Sequence, residues 1–122
     1  MGKTEIQCGM DSSGKCGESY YLRVLQMLES YFHDQHWKTL FLKGGCYWLA
    51  ELLHQGIRDS KIVINRVEEH CAVAFNHGIY DVTGRISGKN FHIASPREIS
   101  FMKKNYIPQF NTEKLERYLK ML

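Results

Sequence analysis

Apolar residues first recur at helical spacing at Tyr21, Leu25, Leu28 and Phe32, with Leu22 and Val24 widening the stripe. That repeat predicts an amphipathic helix over about residues 18–33. The stretch before it, holding Gly9, Asp11, Ser12, Ser13, Gly14 and Gly17, reads as an extended start and a mobile loop over residues 1–17. After the helix, Trp37-Lys38-Thr39-Leu40-Phe41-Leu42 is expected as a short extended or irregular entry to a glycine pair. The run over about residues 46–55 is apolar on nearly every side apart from Glu51, His54 and Gln55. Such a helix belongs in the middle of a core.

Gly56 stops this helix, and the pattern then changes to β. Residues 61–67 are β-branched, 70–75 alternate, and the turn Asn76-His77-Gly78 leads into 79–83. These predict a three-stranded antiparallel meander with a loop over residues 84–88. Ser95-Pro96-Arg97-Glu98 is a capping box with proline at the first helical position, so a short helix opens there. Pro108 breaks the chain before a closing helix over residues 112–121, whose Leu115, Tyr118, Leu119 and Leu122 share a face. The resulting fold class is α+β: a central cysteine-bearing helix packed on a small antiparallel sheet, with an N-terminal helix and C-terminal helices.

The length of 122 residues suits one folded domain, and a hydrophobic content of 43% with only two prolines argues against disorder. The N-terminal residues contain no apolar stretch resembling a signal peptide, and no run approaches transmembrane length. A cytoplasmic protein, made by a cell or by a virus inside one, is the expectation. Beyond residue 96 six basic side chains (Arg97, Lys103, Lys104, Lys114, Arg117, Lys120) face three acidic ones (Glu98, Glu113, Glu116), which accounts for the whole net charge of +3. That tail lacks the dense clustering of a dedicated nucleic-acid binder and reads mainly as the solvated faces of two short helices.

Cysteines at 8, 16, 46 and 71 do not form a disulfide or zinc framework, because the spacing from Cys8 to Cys16 is not that of a zinc knuckle. A metal reading would have to recruit His33 and His36 to join Cys8 and Cys16; a Cys8 to Cys16 disulfide in an oxidising sample is the other option. Neither a metal nor a cofactor is expected.

The chemistry concentrates instead on Gly44-Gly45-Cys46, His70 and Asp81. A thiol attacks a carbonyl as the thiolate, and the first turn of a helix stabilises negative charge, so Cys46 is well placed as a nucleophile. Glycines at 44 and 45 clear the approach to the sulfur, and their torsional freedom would aim backbone N–H groups at a developing oxyanion. Alternation puts His70, Ala72 and Ala74 on one face of their strand, where the small alanines leave room for a helix end. With His77 and Gly78 as central turn residues, Ala74 would pair with Asp81. The carboxylate would then share a face with His70 but lie some four residues along the strand from it, so contact would need twist or a bulge. Thr83 and Asn65 are the reserve candidates for the third position.

Gly44-Gly45-Cys46-Tyr47 with Leu49-Ala50 and Leu52, then His70-Cys71-Ala72-Val73, then residues 78–84, resembles a group of small bacterial and phage proteins of papain-like build. More distantly it resembles the NlpC/P60 and transglutaminase-like cores. The resemblance covers residues 44–84 and implies a papain-like core with Cys46 as nucleophile, His70 as general base and then acid, and Asp81 as orienter. Papain's oxyanion-hole glutamine has no counterpart in Leu40-Phe41-Leu42-Lys43; Gln35 and His36 are the nearest substitutes.

Two functions follow as expectations. The first is a thiol-dependent hydrolase or acyltransferase acting on an amide or isopeptide bond of a peptide or protein through a Cys46 thioester. The second is a non-catalytic phage-encoded binding protein on the same fold, an anti-CRISPR-like inhibitor of a host nuclease or defence factor. It would meet a host protein or ribonucleoprotein through the basic C-terminal helices, with Tyr106, Phe110 and Tyr118 set among Lys103, Lys104, Lys114 and Arg117.

Overall fold

A computed structural model of the chain describes residues 15–120. Helix α1 spans Lys15–Phe32, a 3-10 helix spans Trp37–Phe41, and α2 spans Cys46–Gly56. Strands β1 (Lys61–Asn65), β2 (His70–Phe75), β3 (Gly78–Asp81), β4 (Gly84–Ile86) and β5 (Phe91–Ile93) follow, then α3 (Pro96–Asn105) and α4 (Thr112–Leu119). The architecture is α+β. Its sheet is antiparallel with strand order β4-β3-β2-β1-β5. Among the described residues, no helix is long and apolar enough to cross a membrane.

The apolar stripe of α1 packs as its spacing predicts. Tyr21, Val24 and Leu28 are buried with Leu49 and Leu53 of α2, Val73, Phe75 and Tyr80 of the sheet, and Leu115 and Leu119 of α4. A second cluster joins the head of α2 (Cys46, Tyr47, Ala50) to Ile62, Ile64, Cys71, Ala94 and Met102. Burying a side chain such as Leu53 completely is worth about 1.5–3 kcal/mol, so these clusters and not helix propensity hold α2 in place.

Several local expectations are corrected. Residues 15–17 already belong to α1 rather than to a loop. Trp37–Phe41 is a 3-10 helix, started by a turn in which the Trp37 N–H donates to the Asp34 carbonyl at 3.0 Å; it drives Trp37 and Phe41 inward. Gly56 is the last residue of α2 rather than its stop, and Ile57 leaves in extended conformation. The loop expected at 84–88 contains β4, and β5 adds a further strand, so the meander grows to five strands. The capping box forms as expected: Ser95 Oγ accepts from the Glu98 N–H at 3.1 Å while Glu98 Oε1 accepts from the Ser95 N–H at 2.9 Å.

The β2–β3 turn is centred one residue earlier than the glycine suggests. Asn76 and His77 both take positive φ, 49° and 62°, giving the left-handed pair that a two-residue hairpin requires. Gly78 instead pairs with Phe75 in the ladder, where a Cβ would sit 2.8 Å from Arg85 Nε. The glycine at 78 makes room for the Arg85 side chain, which donates to the His77 carbonyl at 3.1 Å.

Candidate active site

The turn position sets the site. Pairing runs Phe75 with Gly78, Ala74 with Ile79 and Val73 with Tyr80, so the next position along puts Asp81 opposite Ala72, not Ala74. The shift is two residues. It leaves Asp81 on the same face of the sheet as His70 but brings it to the diagonal position, within reach of a long side chain without a bulge. His70 Nε2 lies 2.8 Å from Asp81 Oδ2. Both residues are largely buried, with 13% and 7% of their side chains exposed.

Asp81 is held from three directions. Its Oδ1 accepts from the Thr83 N–H at 2.8 Å and from the Thr83 hydroxyl at 2.5 Å. Its backbone carbonyl accepts from the Tyr21 hydroxyl, which ties the strand end to α1. Burial alone would raise the Asp81 carboxyl, but the hydrogen bonds from His70 and Thr83 outweigh it and hold the group below the ordinary carboxylate range.

His70 is raised to about 9, chiefly by its hydrogen bond to Asp81 and next by a side-chain hydrogen bond with Cys46, against the opposing effect of burial. Since Asp81 takes Nε2, Nδ1 is the ring nitrogen left for the thiol. Cys46, His70 and Asp81, the three residues singled out from sequence, are thus brought together. Phe91 of β5 stands edge-on to the imidazole, with ring centroids 6.2 Å apart.

Cys46 opens α2 and is 3% exposed. The glycines before it act sterically and not through unusual torsions: Gly45 sits at φ −78°. A Cβ on Gly44 would lie 2.0 Å from the Ile107 carbonyl oxygen, and one on Gly45 would lie 2.5 Å from the Leu40 carbonyl oxygen. Two backbone segments press against this corner. The N–H groups expected to form an oxyanion hole are already committed, Gly45 N–H to Leu40 O at 3.1 Å and Cys46 N–H to Lys43 O at 3.2 Å.

The reserve and substitute residues are accounted for separately. Asn65 Oδ1 accepts from the N–H groups of Val67 and Glu68 at 3.0 and 3.1 Å, so it shapes the β1–β2 turn instead of orienting His70. Thr83 reaches Asp81 and not the imidazole. Gln35 and His36 are exposed and engage each other at 3.3 Å. Cys8 and the Cys16 side chain lie outside the described residues, and with them the metal and disulfide readings. Among the described residues no three His, Cys, Asp or Glu side chains gather as a metal site.

Cys71 is 1% exposed, and burial pushes its thiol well above the ordinary range. A groove of about 620 Å³ lies at the other end of β2, around Asn76, His77 and Arg85, and none of the three site residues lines it. Of the aromatics expected on a C-terminal contact surface, Phe110 packs on Phe41 and Trp48, Tyr118 on Tyr31 and Tyr106 on Phe101, and all three are half-buried. Their basic neighbours Lys103, Lys104, Lys114 and Arg117 are exposed.

Sequence reasoning missed the part played by Tyr21, whose hydroxyl holds the Asp81 carbonyl. Tyr21 was legible only as a member of an apolar stripe, although a buried phenol needs a hydrogen-bond partner.

A family model for the phage YunG-like protein matches residues 24–120. No curated protein and no solved structure matches the sequence. The chain belongs to the phage YunG-like family.

Proposed function

We propose that this member of the phage YunG-like family is a thiol-dependent hydrolase or acyltransferase of papain-like build, acting on an amide or isopeptide bond of a peptide or protein. The observation that carries the reading is a single imidazole with Asp81 on Nε2 at 2.8 Å and the Cys46 side chain as its second partner. A nucleophile next to a base that a third group orients is the arrangement covalent acyl transfer needs.

In this reading the His70 ring already carries the proton near neutral pH, and the sulfur attacks the carbonyl carbon as the partner of an imidazolium. His70 then gives the proton to the leaving amine as the thioester forms. Water attacks the thioester with His70 as base, and the imidazolium beside the sulfur is restored as the acid is released. Asp81 holds the ring and stabilises the imidazolium, a role suited to a carboxylate kept ionised by Thr83 and His70.

Labelling with iodoacetamide near neutral pH, followed by peptide mass mapping, tests this. Cys46 is expected to react ahead of Cys71, and His70→Ala to slow Cys46 selectively. Labelling of Cys46 that is indifferent to His70→Ala would sink the catalytic reading.

The near-complete burial of Cys46 favours a second reading, a non-catalytic binding protein that keeps the three residues as structure. Retention of the biological effect by Cys46→Ala would select it.

A further inference from the structure

The oxyanion formed during acyl transfer needs a donor, and the N–H groups of Gly45 and Cys46 are spent on Leu40 and Lys43. Another polar group stands at the same corner. Tyr106 caps α3, its N–H bonded to the Met102 carbonyl at 2.8 Å. Its half-buried ring packs against the cluster that contains Cys46, Tyr47 and Cys71. The next residue, Ile107, lays its backbone directly on Gly44, two positions before the nucleophile. Chain connectivity therefore anchors Tyr106 beside the head of α2.

The phenol is also electrostatically coupled to the site. Burial raises it first, the Cys46 and Cys71 thiols and then Glu69 raise it further, and Arg66 opposes them. Among the described residues no hydrogen bond engages its hydroxyl, whereas Tyr21 and Tyr47 donate to Asp81 and Glu51. An uncommitted phenolic O–H beside a nucleophile is a donor available to charge that appears only during reaction.

Resting on the catalytic reading above, we propose that the Tyr106 hydroxyl is the oxyanion donor of this site, a further catalytic residue supplied by the connection between α3 and α4. As the Cys46 sulfur bonds to the carbonyl carbon, the carbonyl π electrons move onto oxygen and Tyr106 donates a hydrogen bond to that oxygen. Tyr106 keeps its proton throughout. When the oxyanion collapses, the C=O bond re-forms, the leaving group departs with its electron pair, and the hydrogen bond weakens.

Two electrophiles separate this role from a structural one. With 4-nitrophenyl acetate, sulfur attack creates an oxyanion and then expels 4-nitrophenolate. With iodoacetamide, sulfur displaces iodide at a saturated carbon and no oxyanion forms. Tyr106→Phe is expected to slow acetylation of Cys46 by about a hundredfold to a thousandfold, on the scale of losing one oxyanion-hole donor. Its alkylation by iodoacetamide should stay within about twofold of the parent protein. Mass mapping places each adduct, and an unchanged urea midpoint shows that the variant is folded. Equal slowing of both reactions would make Tyr106 a support for the thiol, and slowing of neither would remove it from the chemistry; either result overturns the proposal. A parent protein whose Cys46 alkylation ignores His70→Ala overturns the triad instead, and the oxyanion role falls with it.

Discussion

Thr83 grips Asp81 Oδ1 twice, through its N–H at 2.8 Å and its hydroxyl at 2.5 Å, and so leaves Oδ2 to His70. The carboxylate cannot rotate away from the imidazole without breaking both bonds. Thr83→Val keeps the shape and the backbone donor but removes the hydroxyl. With Thr83 itself exposed, a loss of about 1 kcal/mol in urea denaturation is expected. The His70 titration, followed by NMR, should move down toward the ordinary histidine value. An unmoved His70 midpoint would mean that Thr83 does not govern the pair.

The same pair makes stability depend on pH. His70 rises from an ordinary 6.5 to about 9, so the folded state holds the proton more tightly than the unfolded chain. Its contribution is complete below pH 6.5 and is lost as pH climbs through about 9. For this mostly buried ring the loss should be roughly 2–3 kcal/mol. Asp81 acts in the opposite direction: its contribution is present above its ordinary value of 3.8 and is lost as pH falls below it, through its lower value in the folded protein. Urea midpoints measured from mildly acidic to alkaline pH should show the alkaline decline, and Asp81→Asn should flatten it. A parent protein whose alkaline decline is no steeper than that of Asp81→Asn would contradict the coupling.

Gly44→Ala forces a methyl group to within 2.0 Å of the Ile107 carbonyl oxygen. The obstacle is backbone, so either the α3–α4 connection or the head of α2 must shift. Overpacking of this kind costs about 1–3 kcal/mol. Because Tyr106 rides on the same connection, acetylation of Cys46 should fall along with stability. A variant as stable as the parent would show that the connection can swing away freely.

Ser95→Ala removes the side chain that accepts from the Glu98 N–H at 3.1 Å. About 1 kcal/mol of stability should be lost at neutral pH, the usual cost of deleting an N-cap. The Glu98 carboxyl is held down at about 2 by the Ser95 N–H and then by His92 and Arg66. The support it gives the helix is present above 4.5 and is lost as pH falls toward 2. Acid titration of Glu98 by NMR should find its midpoint well below that of a free glutamate; an ordinary midpoint would dissolve the capping box in solution.

The sequence by itself determined the pieces whose cause is local. The stripe from Tyr21 to Leu28, the apolar run after Cys46 and the Ser95 to Glu98 cap are written in neighbouring residues, and each became the expected helix. The limits of β2 followed from its alternation, and residue type was enough to mark Cys46, His70 and Asp81 as candidates. What joins those three residues was not local. Whether Asp81 stands opposite Ala72 or Ala74 depends on Asn76 and His77 accepting left-handed torsions, which flanking strands can impose on residues that would not choose them alone. Strand β5 has three residues and a face half open to solvent, so only its pairing with β1 reveals it. The bond from Tyr21 to the Asp81 carbonyl spans sixty positions in the chain, and Tyr106 reaches the head of α2 from just as far. The tertiary structure alone decided these contacts, because a hydroxyl's partner and a glycine's neighbour are set by what packs against them.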